Sequence, residues 1–167
     1  MMGSAATAKA VADRLAGVDV SIVFDPVMVA SSGATLADDA TIASFDRLLK
    51  LATLTTPNLP EYEALLAHHA LPGLILVKGG HTMGREITDR LIDRAHELQR
   101  WTDTRIATTS THGTGCTLAS AIAVGLAQQM SVIEAVARAR WFVRAALAQA
   151  PELGEGHGPM GHQAVRL

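Results

Sequence analysis

At 167 residues, with 49% hydrophobic and 18% charged residues, the chain is long enough for one domain with a substantial core. A formal charge of −2 gives no general attraction to nucleic acid or to an anionic membrane, and no apolar run approaches the roughly 18 residues of a bilayer span. One cysteine cannot form an internal disulfide, and the N-terminus lacks the basic start and apolar core of a secretory signal, so the composition reads as that of a cytoplasmic protein.

Ser4 is placed to cap a helix running through Ala16, with Val11, Ala12 and Leu15 as its apolar face and Gly17 as its stop. Val18 to Phe24 reads as a strand, its nearly continuous apolar run suiting a sheet covered on both faces. Asp25-Pro26 ends it. Ligands gather at the carboxyl ends of strands in an open parallel sheet, which would suit Asp25, although the residues alone favour a turn aspartate before proline. Ser31-Ser32-Gly33 reads as a loop, and Asp38 to Leu51 as one amphipathic helix with Ile42, Phe45, Leu48 and Leu49 inward. A short strand follows at Ala52 to Thr55.

Pro60 suits the first turn of the next helix and Glu61 lies near its positive end, which by spacing alone is ordinary N-terminal helix charge. That helix stops by Ala70. Leu71-Pro72-Gly73 then leads into a strand from Leu74 to Val77, closed by Lys78-Gly79-Gly80-His81. A lysine at this place serves either as a mobile point charge for phosphate or as a solvated turn residue. Glu86 to Trp101 is ambiguous by itself: Ile87, Leu91, Ala95 and Leu98 are spaced for a helix, and the arginine and acid content agrees. Arg105 to Ala107 reads as a short strand leading to Thr108.

Ser110 to Thr117 holds two glycines one residue apart and feeds a small apolar helix, Leu118 to Ala127. A glycine-rich turn before a helix aims unpaired N–H groups and the positive dipole end at one spot, an arrangement suited to phosphate. Cys116 sits there, where a helix N-terminus favours thiolate; inert core filler is the plain alternative. Ser131 and Glu134 form a capping-box pattern opening a helix to about Ala150, with Val132, Val136, Phe142, Val143 and Leu147 inward and Pro151 as its stop. In the tail from Gly154 to His162, metal binding by His157 and His162 competes with a plain irregular tail. Strand–helix alternation makes the whole an α/β domain with a mainly parallel sheet.

The string THGTGCTLASAIAVGLA closely resembles the anion-hole segment of the hydroxymethylpyrimidine and phosphomethylpyrimidine kinases of thiamine biosynthesis, members of the ribokinase-like superfamily. MMGSAATAKAVADRLAG, DPVMVASSGATL, TPNLPEYEALL, LVKGGH and GEGHGPMGH match other segments of that family in the same order, together spanning nearly the whole chain. The resemblance implies a ribokinase-like three-layer α/β/α sandwich. It also implies ATP-dependent phosphorylation of 4-amino-5-hydroxymethyl-2-methylpyrimidine and its monophosphate, with magnesium.

By the same resemblance, Gly113, Thr114, Gly115 and Cys116 stabilise the transferring phosphoryl group, and Cys116 takes the general-base position beside the substrate. Val27 matches a position contacting the pyrimidine. Asp25 and Glu61 go with magnesium, whose preferred ligands are oxygens. Asn58, which completes the superfamily's NxxE motif with Glu61, goes with the nucleotide, as do Lys78, Thr108 and His112. The family has a β-hairpin over residues 86–101, turning near Asp93-Arg94, and the resemblance sets that reading above the helical one.

Two departures stand out. The excursion before Leu74 is shorter than in the family. Family proteins also begin well upstream of the segment matching Met1 to Ser4, with a glycine-rich substrate loop and an acidic residue for the pyrimidine hydroxyl. The expectation is therefore one N-terminally truncated kinase domain over residues 1–167, handling pyrimidine poorly by itself, with an open sheet edge. A homodimer is one way to complete its pocket. The expected partners are ATP and a small pyrimidine, not nucleic acid or membrane. A pyridoxal kinase, or a non-catalytic remnant binding nucleotide or a partner chain, are the alternatives.

Overall fold

The structure is a computed structural model that describes residues 1–29, 36–80, 83–94, 96–151, 153 and 156–166. The expected loop at Ser31-Ser32-Gly33, His81 and the start of the tail at residues 154–155 lie outside the described residues. The chain forms two compact units, Met1–Asp103 and Thr104–Leu167.

The first unit carries α1 (Ala5–Leu15), β1 (Val23–Phe24), α2 (Asp39–Ala43), α3 (Asp46–Leu51), β2 (Leu54–Thr55), α4 (Leu59–His68), β3 (Leu74–Val77), β4 (Glu86–Asp93) and β5 (His96–Thr104). Ser4 caps α1 as its sequence suggests, accepting the Thr7 N–H, and Ala8 and Ala12 are buried. The sheet order is β1-β2-β3-β4-β5. β1 pairs with β2 and β2 with β3 in parallel, whereas β3 and β4 are antiparallel, so the sheet is mixed. β4 and β5 are consecutive and neighbouring in the sheet, with Arg94 at φ 55 directly after β4; the hairpin reading holds and the helical one does not.

Several expected elements are shorter than their apolar runs. β1 covers only Val23–Phe24, because its partner β2 offers a two-residue rung; Val18 and Val20 are exposed rather than strand core. β2 likewise starts at Leu54, two residues later than expected. The helix expected over Asp38 to Leu51 divides into α2 and α3. Between them the Ser44 hydroxyl donates to the Thr41 carbonyl at 2.6 Å, a local bond that competes with helix continuation. The inward positions nevertheless hold. Ile42, Phe45, Leu48 and Leu49 join Ala8, Ala12, Phe24, Met28 and Leu65 in one core cluster, with Phe45 edge-on to Phe24 at 5.2 Å between ring centroids.

The second unit carries α5 (Thr114–Ala127), α6 (Val132–Ala148) and a 3-10 turn at His162–Ala164. Residues 105–107 are not a strand. α5 begins four residues before Leu118, taking Thr114, Gly115 and Cys116 into its first turn. α6 opens on the expected capping box, Ser131 Oγ accepting the Glu134 N–H and Glu134 Oε2 accepting the Ser131 N–H. Its buried face differs from expectation. Ala135, Val136, Ala139, Arg140 and Ala146 are buried, whereas Val132, Phe142, Val143 and Leu147 are half-buried. The helices approach too closely for large side chains: a Cβ at Gly125 would lie 2.8 Å from the Ala135 Cβ.

Candidate active site

In the first unit, three adjacent parallel strands deliver polar residues from their carboxyl ends, where open α/β sheets collect ligands. Asp25 follows β1, Thr56 to Asn58 follow β2, and Lys78 follows β3. Asp25 Oδ1 accepts from Lys78 Nζ at 2.7 Å and from the Thr56 hydroxyl at 2.9 Å. The pair is well shielded, the two side chains being 14% and 13% exposed. The Lys78 N–H donates to the Pro57 carbonyl at 2.8 Å, and Asn58 and Lys78 form a parallel bridge. Lys78 is therefore no solvated turn residue, and Asp25 is more than a turn aspartate.

Asn58 and Glu61 form a capping box at the start of α4. Asn58 Oδ1 accepts the Glu61 N–H at 2.9 Å, and Glu61 Oε2 accepts the Asn58 N–H at 2.8 Å. The other carboxylate oxygen accepts the Met28 N–H at 3.3 Å, tying the segment after β1 to α4. Glu61 is only 5% exposed. Burial pushes its carboxyl above the usual range, Asp25 adding in the same sense, against the backbone bonds from Asn58 and Met28 and the charge of Lys78. Val27 is half-buried between Asp25 and Met28, its N–H donating to the Asp25 carbonyl at 2.9 Å.

These residues suit magnesium in chemistry. They offer two carboxylates of hard oxygens, and magnesium is commonly held by one or two carboxylates, with phosphate and water completing its octahedron. Among the described residues, both hydrogen bonds to the Asp25 carboxylate fall on Oδ1, which leaves Oδ2 the better placed of its oxygens for a cation.

In the second unit, Gly113 caps α5 at φ +78, a left-handed conformation that favours glycine. The first helical backbone bond runs from the Thr117 N–H to the Gly113 carbonyl at 2.9 Å. The N–H groups of Gly115 and Cys116 meet no backbone acceptor among the described residues, as expected of a helix start. Cys116 is exposed, which removes the core-filler reading. It borders a cavity of about 480 Å³ along α5 and α6, whose lining includes Thr117, Val124, Phe142 and His162.

The tail is bonded to this loop. His112 donates its N–H to the Gly158 carbonyl at 3.3 Å and bridges Pro159, while His157 Nδ1 and the Thr111 hydroxyl are 3.2 Å apart. His162 Nε2 and the Thr117 hydroxyl are 2.9 Å apart. His157 and His162 thus serve hydroxyl contacts, and no group of three metal-ligating side chains occurs among the described residues. Thr108 turns inward on its own loop, its hydroxyl accepting the Ser110 N–H at 3.1 Å.

Sequence reading names Asn58 and Glu61 but misses their capping box, which has the same spacing as Ser131–Glu134, and it misses two further participants. Thr56, fully buried, and Asp89, which accepts the Gly79 N–H, carry no local signal.

A family model described as phosphomethylpyrimidine kinase matches residues 1–161. A hydroxymethylpyrimidine/phosphomethylpyrimidine kinase of Rhizobium meliloti (strain 1021) is 42% identical, the match covering 97% of this chain and 68% of the relative. Among solved structures, a Bacillus subtilis pyridoxal kinase in complex with ADP is 25% identical at a TM-score of 0.84, over 98% of this chain and 68% of that one. A Staphylococcus aureus pyridoxal kinase in complex with ADP is 26% identical at 0.85, over 98% and 66%. The chain thus spans about two thirds of the length of these proteins, and their fold, ribokinase-like and α/β, is its own. With the family match reaching from the first residue to residue 161, the chain belongs to the phosphomethylpyrimidine kinase family, a family of phosphotransferases.

Proposed function

We propose that this chain takes part in ATP-dependent phosphorylation of 4-amino-5-hydroxymethyl-2-methylpyrimidine and its monophosphate. The observation that carries the reading is the gathering of Asp25, Thr56 and Lys78 at the ends of three parallel strands, in a chain 42% identical to a kinase so named. Phosphoryl transfer asks chiefly for positioning and for neutralisation of charge. Lys78 supplies a positive charge paired with Asp25, and Asn58 and Glu61 fix the segment beside it. Asp25 and Glu61 would hold magnesium, which when bound supplies charge neutralisation on the phosphates.

The second unit contributes donors and a base. The Gly115 and Cys116 N–H groups stabilise the transferring phosphoryl oxygens, with Gly113 and Thr114 shaping the turn. The substrate oxygen, the alcohol in the first transfer and a phosphate oxygen of the monophosphate in the second, bonds to the γ-phosphorus as the bond to the bridging oxygen breaks and ADP leaves. Cys116 Sγ, in the first turn of α5, accepts the alcohol proton as general base. Val27 lies against the pyrimidine, and Thr108 and His112 border the nucleotide. Residues 1–167 act as one kinase domain.

A second reading, phosphorylation of pyridoxal, is favoured by the pyridoxal kinases among the structural neighbours. ADP release by the purified chain with magnesium–ATP, measured separately with hydroxymethylpyrimidine, its monophosphate and pyridoxal, separates the two. Pyrimidine-dependent release, however slow, supports the first; release with pyridoxal alone supports the second; release with none overturns both.

A further inference from the structure

We propose that Asp89, which lies in none of the family-like segments, is a positioning residue that fixes the backbone behind Lys78 and so holds its ammonium in place. The antiparallel register of β3 and β4 runs from Leu74↔Asp93 to Val77↔Arg90. One step further, Asp89 stands opposite Lys78, where β3 ends. There the Lys78 N–H turns to β2, donating to the Pro57 carbonyl at 2.8 Å, and the Gly79 N–H donates to Asp89 Oδ1 at 2.7 Å. A side-chain carboxylate thus accepts a backbone N–H just past the last paired rung of β3 and β4.

The chemistry of the position fits that task. Asp89 is 6% exposed on a strand, and burying a carboxylate is costly unless it meets donors. A charge-assisted bond from a backbone N–H is shorter and stronger than a neutral one. Gly79 is shaped for the same contact: a Cβ there would fall on the Thr88 carbonyl oxygen. Lys78 is consequently held at its own N–H by β2 and at the next N–H by β4, while its side chain reaches Asp25. The consequence for phosphate rests on the reading of Lys78 proposed above; the positioning does not.

Competitive trace acetylation of the intact chain, read by mass spectrometry, compares Lys78 with Lys9 and Lys50, the other lysines of the sequence. Asp89→Val suits a strand and removes the acceptor, whereas Asp89→Asn keeps an amide oxygen. Relative to Lys9, Lys78 should react about tenfold faster in Asp89→Val than in the unaltered chain, and within about twofold of it in Asp89→Asn. An unchanged ratio in Asp89→Val overturns the proposal. Calorimetry adds a readout that a merely structural role would not separate: Asp89→Val should weaken ADP about tenfold and leave adenosine unaltered. Equal losses for both ligands count against positioning. If the unaltered chain binds no ADP, the phosphate reading of Lys78 fails while the acetylation ratio still decides the role of Asp89. If Asp89→Val does not fold, hydrogen exchange in the unaltered chain decides: protection of the Gly79 amide comparable to Val77 supports the bond, and exchange at a free-amide rate overturns it.

Discussion

Lys78 and Asp25 meet at 2.7 Å from the ends of two strands that are not neighbours, since β2 lies between β1 and β3. Thr56, at the end of β2, donates to the same carboxylate oxygen, so one atom joins the ends of all three strands. Removing the cation leaves a shielded carboxylate with one hydroxyl donor. Lys78→Met should cost about 1–3 kcal/mol in urea unfolding. Thr56→Val, close in shape but without the hydroxyl, should cost about 1 kcal/mol. Wild-type stability in Lys78→Met would show that the pair contributes nothing to the fold.

Glu61 gives the fold a pH dependence of known sign. Its carboxyl is raised above 4.5 in the folded chain, chiefly by burial. The folded state therefore holds this proton more tightly than the unfolded state does. The associated stability is fully present below the unfolded value and is lost as pH rises through the raised folded value. Glu61→Gln removes the titration, so its stability, followed by denaturant unfolding, should change less with pH across the window just above 4.5. Parallel profiles for the two proteins would contradict the assignment.

At the α5–α6 contact, Gly125→Ala brings a methyl within 2.8 Å of the Ala135 Cβ and should destabilise the chain by about 1–3 kcal/mol. Adding Ala135→Gly should restore part of that loss after its own helix cost of about 1 kcal/mol is subtracted. Independent, additive losses in thermal unfolding would show that the two positions do not meet.

What the sequence made legible was local. Ser4 and Ser131 cap helices through residues three positions on, and the apolar run at Leu74–Val77 became β3 without change. The motif strings marked Asp25, Asn58, Glu61 and Lys78, yet not how they connect, because Glu61 meets Met28 across 33 positions and Lys78 meets Asp25 across 53. Apolar periodicity misread the Ser44 break, where a side-chain hydroxyl competes with the helix, and the run at Val18, which precedes the paired residues of β1. It also assigned large residues to a face of α6 where close helix approach leaves room for alanine.

The most direct test of the kinase reading compares the unaltered chain with Cys116→Ala in pyrimidine-dependent ADP release, alongside ADP binding by calorimetry. Loss of a general base should lower kcat about 10²–10⁴-fold. ADP affinity should change little, because the backbone N–H groups at the start of α5 remain. Near-normal kcat in Cys116→Ala, or activity lost only together with the fold, would contradict the role of the thiol, and absence of pyrimidine-dependent release by the unaltered chain would contradict the assignment itself.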